Sequence, residues 1–217
     1  MSFAELKSKQ RRIRDSFDEN LGLRVHRALS WLHRAEQCID DDGKFLFLWI
    51  GFNAAYANDL GQQRRCEGSA QQQFIDKLVS LDRDRRLYNI LWKMFPNNVR
   101  VFLNNQYVFQ PYWDAVNSIE KTIDWQENFR AAKHAAHVAL SKQDTSSVLD
   151  ILMKRLYTLR NQIIHGGATY DSSVNRKQMR DATEVMSWLV PIIIDIMMNN
   201  PNALWGDACY KVQSNKS

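Results

Sequence analysis

The segment KFLFLWIGFNAAYAN, Lys44 to about Asn58, is apolar on nearly every side of a helical wheel. A helix without a polar face has to be covered on several sides, so any fold of this chain must wrap other elements around it. Those elements are also helical. Glycine (8) and proline (4) are sparse in the 217 residues, and no strand-like alternation is evident. The expected class is all-α. This length suits one large domain, or one with an elaborated insert, and buries enough surface to fold without disulfide or metal. Cys38, Cys66 and Cys209 are odd in number, scattered and outside any ligand spacing, which points to a reduced, cytoplasmic chain. The N-terminal residues are amphipathic and basic, with neither the apolar run nor the cleavage site of a secretory signal. The longest apolar runs fall short of the roughly 18–20 residues that span a bilayer, so no membrane partner is expected.

Around that central helix the periodicity predicts a first helical stretch from about Phe3 to Glu36, broken near Asn20–Gly22. Val25, Leu29, Leu32, Glu36 and Ile39 recur along it at helical spacing. Asp40–Gly43 (DDDG) reads as a turn and helix start. Residues 61–125 are less regular: a polar loop GQQRRCEGSAQQQ, helices at Phe74–Leu81 and Leu87–Phe95, a turn at FPNN, and a short piece from Gln110. Their aromatic residues argue for an ordered insert. Asp124–Gln143 reads as a helix. Asp144–Ser147 (DTSS) offers N-cap residues for a helix over Val148–His165, which Gly166 and Gly167 stop as C′ glycines do. A long last helix follows, bent at Pro191.

The net charge is +5, with arginines in small groups. A mildly basic surface fits RNA, because phosphates supply most non-specific affinity; solvated helix faces carry the same composition.

The helix that closes at Gly166 puts Arg160, Asn161 and His165 in its last turn. Asn161 and His165 are four apart on one face, with Tyr157 one turn earlier. Arg160 and His165 are five apart, so their directions differ by about 140°. A long arginine spans that angle where a cleft lies beyond the helix end, and a second copy of the helix across a two-fold axis makes such a cleft. The plainer alternative is that cations in a last turn complement the macrodipole and bond the terminal carbonyls. Tyr157 is either a base-stacking platform or core. Asn53, polar in an apolar helix, needs hydrogen-bond partners. His134 and His137 form H-x-x-H without a third ligand at metal spacing, and His26 and His33 share one stripe. No metal or cofactor is called for. GFNAAYANDLG lacks the order of a phosphate loop.

Three segments, in order, resemble the HEPN superfamily: RALSWLHRAE (Arg27–Glu36); FLFLWIGFNAAYAND, with Trp49, Phe52, Asn53, Ala54 and Tyr56; and RLYTLRNQIIHGG, with Arg160 and His165. The resemblance implies an all-α, HEPN-like helical bundle acting as a homodimer. Its core would cover about 21–60 and 144–200, with an inserted helical or irregular segment at about 61–143. It also implies a metal-independent endoribonuclease, a toxin or phage-defence effector, in which Arg160, Asn161 and His165 are catalytic. Tyr157, Arg176 and Lys177 would bind RNA, and a separate antitoxin or regulator would restrain the enzyme. The alternative is a non-catalytic HEPN-like module that binds RNA, a nucleotide or a protein.

Overall fold

The computed structural model describes residues 1–57, 67–118 and 124–210. The chain is all-helical: α1 (Phe3–Ile13), α2 (Glu19–Glu36), α3 (Asp41–Tyr56), α4 (Glu67–Leu81), α5 (Arg86–Asn89), α6 (Pro96–Leu103), α7 (Gln110–Asn117), α8 (Trp125–Ser141), α9 (Thr145–Ile164) and α10 (Arg176–Asn199). A π-helical turn, Ile90–Met94, continues α5. No strand occurs among the described residues, and no helix among them is long and apolar enough to cross a membrane. The chain divides into two compact units, Met1–Asp82 with Met186–Ser217, and Arg83–Val185. Residues of α10 belong to both.

In the first unit, α2 and α3 form a helical hairpin across the short link 37–40. The largely apolar helix is covered as its composition demands: no residue of α3 is exposed, and Phe45, Leu48, Trp49, Phe52 and Ala55 are buried. Gly51 lets α3 approach both neighbours, since a Cβ there would meet Ala28 O at 3.5 Å and Val190 Cγ1 at 3.6 Å. Asp40 caps α3 by accepting the Gly43 N–H at 2.7 Å, as the DDDG signal implied.

The first helical stretch breaks earlier than its periodicity suggested. The chain leaves α1 through a 3₁₀ turn at Arg14–Ser16, and Asp18 starts α2 by accepting the Leu21 N–H at 2.7 Å. Asn20 and Gly22 lie inside α2 because that carboxylate outweighs one glycine in a first turn. Ile39 lies beyond the helix and is fully exposed.

The segment after α10 is held to α2 by a buried arginine. Arg24, 1% exposed, donates to Ala55 O (2.8 Å), Gly206 O (3.3 Å) and Asp207 O (2.7 Å). Arg27 adds bonds to Cys209 O and Tyr210 O. Trp205 is buried against Phe74, its indole N–H bonded to Asn200 O at 3.0 Å. Burial lowers the Arg24 pKa from the usual guanidinium range, but three carbonyl partners offset much of that cost.

The second unit holds α5 to α9. Two assignments change here. Glu67–Gln73, part of the expected polar loop, is the first half of α4 in the other unit, while residues 61–66 of that loop lie outside the described residues. FPNN opens a helix: Pro96 occupies the first position of α6, where its missing N–H costs nothing. The aromatic residues are ordered, with Tyr112 edge-on to both Trp113 (5.1 Å) and Trp125 (4.9 Å).

This unit has its own buried arginine, bonded differently. Arg155 on α9 is 4% exposed and lies over the rings of Phe109 (4.4 Å) and Phe129 (5.6 Å). Its Nε and Nη2 have no hydrogen-bond partner among the described residues. Burial pushes its pKa down to about 10. Ring faces return part of the desolvation cost of a cation but leave its N–H donors unpaired.

The same substitution should therefore have opposite signs in the two units. Arg24→Met strands three carbonyls and should destabilise by about 2–4 kcal/mol. Arg155→Met keeps the packing, removes unpaired donors and should stabilise by roughly 1–2 kcal/mol. Urea denaturation midpoints of both variants check the contrast.

Candidate functional site

The helix α9 positions every sequence-derived catalytic candidate. It starts at Asp144, whose carboxylate accepts the Ser147 hydroxyl (2.7 Å) and N–H (3.1 Å). Those bonds, the hydroxyl first, hold the Asp144 carboxyl below its usual pKa. Val148, Leu149, Leu152, Met153, Leu156 and Leu159 are buried along one side. That stripe fixes the rotation of the helix, and so decides which faces Tyr157, Arg160 and Asn161 occupy.

The far end closes with a pair of crossed bonds. His165 is the C-cap, its N–H bonded to Asn161 O at 3.0 Å. Gly166 then adopts φ +70°. Its N–H reaches Ile163 O (3.0 Å), and the Gly167 N–H reaches Gln162 O (2.7 Å). This is a Schellman termination, in which the left-handed residue is normally glycine. The turn leaves the His165 side chain exposed.

The structure brings Arg160, Asn161 and Tyr157 together. Arg160 Nη1 donates to Asn161 Oδ1 at 2.9 Å, and its guanidinium carbon lies 5.9 Å from the Tyr157 ring centre. Arg160 Nε is buried without a hydrogen-bond partner among the described residues. Tyr157 is 40% exposed, so it is no core residue. At the start of α10, Arg176 pairs with Asp171 at 3.4 Å, and Lys177 is exposed. Part of the Arg176 charge is thus already answered within the chain.

Other histidines take ordinary positions. His33 stacks on Phe3 at 4.1 Å, which joins α1 to α2. His26, His134 and His137 are exposed. Among the described residues no group of three or more His, Cys, Asp or Glu side chains could hold a metal ion.

Next to the motif lies a cavity that the sequence did not announce. It has a volume of about 870 Å³ and is walled by α9, by the 3₁₀ turn Gln106–Val108 with α7, and by the loop 167–175. Asn161 belongs to its wall; Arg160, His165, Tyr157, Arg176 and Lys177 do not. Trp113 and Gln162 both donate to Tyr107 O, at 2.8 and 2.5 Å, and this ties α7 and α9 to the turn between them. These wall residues escaped sequence reasoning because isolated amides and aromatics, tens of residues apart, make no pattern until the helices pack. Comparison with protein-family models, with curated proteins and with solved structures finds no match.

Two predictions test how α9 holds the site. An alanine Cβ at Gly166 would meet nothing within 4 Å, so Gly166→Ala isolates the backbone cost. It should lose about 1 kcal/mol and speed amide exchange at residues 165–167, whereas Gly166→Asn loses less. Asp144→Ala should cost about 1 kcal/mol at neutral pH. Because the folded-state pKa of Asp144 is depressed, its contribution is present above the unfolded pKa and lost as pH falls through the folded one. The difference between wild type and Asp144→Ala in thermal melts should shrink correspondingly in acid.

Proposed function

We propose that the chain is a metal-independent endoribonuclease of HEPN type that works as a homodimer. The observation that carries the proposal is the end of α9, where an exposed His165 closes the helix five residues after an arginine with an unpartnered buried Nε. RNA brings its own nucleophile, the 2′-hydroxyl beside the scissile phosphate. The 2′-oxygen bonds to phosphorus as the P–O5′ bond breaks. One imidazole takes the 2′-OH proton, and the other, the partner subunit's His165, gives a proton to the departing 5′-oxygen.

Arg160 stays charged throughout and offers a flat fork of donors to the phosphate oxygens as negative charge gathers there. Asn161 orients that fork through the bond from Nη1 to its Oδ1. Lys177, exposed at the start of α10, adds long-range attraction for the RNA backbone, and Arg176 contributes when it leaves Asp171. Tyr157 provides an exposed ring beside the guanidinium. The products carry a 2′,3′-cyclic phosphate and a 5′-hydroxyl. An enzyme of this kind damages its host's RNA, so a separate antitoxin or regulator belongs to the same reading, as does a role as toxin or phage-defence effector.

One observation favours a second reading. Arg160 already spends a donor on its own neighbour, as an arginine would in a non-catalytic module that only binds RNA or a protein.

Incubation of the purified chain with labelled RNA and excess chelator separates the two. Cleavage with cyclic-phosphate ends is expected, with DNA untouched. His165→Ala should reduce the rate by about 10²–10⁴-fold, and Arg160→Ala by about 10²–10³-fold. Intact RNA, or cleavage indifferent to His165→Ala, would overturn the nuclease. Sedimentation showing only monomer at assay concentrations would remove its second imidazole.

A further inference from the structure

The cavity beside α9 is chemically unusual for its size. Among the described residues, no Asp, Glu, Lys, Arg or His lies in its wall. Six carboxamides do: Gln110, Asn117, Asn161, Gln162, Asn175 and Gln178. A pocket without charge selects a neutral ligand group, and one rich in amides selects a group that presents donors and acceptors side by side. At about 870 Å³ it falls in the range of small-molecule sites.

Three of the amides are already engaged. Gln162 donates to Tyr107 O (2.5 Å), Gln110 to Asp114 (2.9 Å), and Asn161 accepts from Arg160 (2.9 Å). The side chains of Asn117, Asn175 and Gln178 make no hydrogen bond with the described residues. Asn175 Oδ1 is buried and unsatisfied, so nothing fixes that carboxamide on its oxygen side and it can turn to meet a ligand. Trp113 supplies an aromatic surface, with its indole held by the bond to Tyr107 O (2.8 Å).

We infer that this cavity is a nucleobase subsite, filled by the base of a nucleotide whose phosphate lies at Arg160. A base is neutral, planar and edged with donors and acceptors that carboxamides pair with two at a time, and its face stacks on an aromatic ring. No cation in the described wall receives its phosphate, and one cation is a single hydrogen bond away: Asn161 belongs to the wall and accepts from the Arg160 guanidinium. Neutral head and anionic tail thus match an uncharged described wall with the Arg160 guanidinium bonded at its edge. In placing the phosphate at Arg160 this inference rests on the RNA reading above, but binding of the base requires no cleavage.

The test uses the full chain and four free nucleosides: adenosine, guanosine, cytidine and uridine. Ligand-observed NMR should show saturable binding of at least one of them. Inorganic phosphate should not displace it. The double variant Asn175→Leu/Gln178→Leu should weaken it by about 10-fold or more with an unchanged circular dichroism spectrum. In wild-type protein the side-chain amide resonances of Asn117, Asn175 and Gln178 should shift on titration, a readout that stands even where the double variant fails to fold. Failure of all four nucleosides to bind, displacement by phosphate, or shifts confined to other amides would overturn the subsite. RNA left intact while a nucleoside binds as described would end the nuclease and leave the subsite. RNA cleaved at equal rates by wild type and Asn117→Leu, with no nucleoside bound, would do the reverse.

Discussion

A backbone turn decides where the candidate chemistry sits. At Gly166 the chain takes a conformation that L-residues with a Cβ disfavour, and α9 ends there rather than a turn later. The Gly167 N–H then closes on Gln162 O at 2.7 Å, so the chain reverses immediately. Two consequences follow from that one reversal. His165 is left as the C-cap just after the helix, with its ring in solvent. The loop 167–175 is turned along α9, where Ala168, Thr169 and Asn175 become one wall of the cavity. Extending α9 by a turn would bring the histidine into a regular helix and remove that wall.

Each compact unit meets the cost of an internal cation in its own way. Arg24 has carbonyl oxygens for its donors, including Ala55 O in the last turn of α3, a carbonyl with no partner inside its helix. The arginine is therefore a helix cap as much as a buried charge, and it holds residues 206–207 to α2. Arg155 has rings instead. Stacking between Phe109 and Phe129 positions α9 against two flanking segments, but it leaves donors unpaired and the cation partly destabilised. Such an arrangement costs stability on the same helix that carries Arg160.

Much of the helical layout was legible in the sequence because it rests on local chemistry. Asp40 and Asp144 sit where capping preferences put them, Gly166 is the C′ residue, and no residue of the largely apolar α3 is exposed. Where the layout departs from local expectation, the cause is also local. Pro96 occupies the first position of α6, where a proline fits, so FPNN begins a helix rather than a turn. Asp18 caps α2 two residues before Asn20, so Asn20–Gly22 lies inside the helix. What no local rule could supply is the convergence of α7, α9 and the loop after it. The cavity depends on a carbonyl, Tyr107 O, accepting from Trp113 and from Gln162, which lies 55 residues further along the chain. The aromatic pattern at Trp49 and Phe52, by contrast, was legible but not specific: both side chains are simply core, 2% and 1% exposed, and any helix covered on all sides demands such residues.

Asn161 links the two halves of the functional argument. Its carbonyl oxygen holds one arm of the Arg160 guanidinium, while its residue forms part of an uncharged wall. An arginine has five N–H donors, so one bond to a neighbouring amide restricts the fork without using it up. A neutral acceptor suits that task better than a carboxylate, which would hold the guanidinium as an ion pair and compete with phosphate for it. The same neutrality adds no charge to the described wall of the cavity. An aspartate at position 161 would be nearly the same size and would accept the same hydrogen bond, but it would defeat both effects at once. The amide therefore leaves the Arg160 guanidinium hydrogen-bonded but not ion-paired at this position.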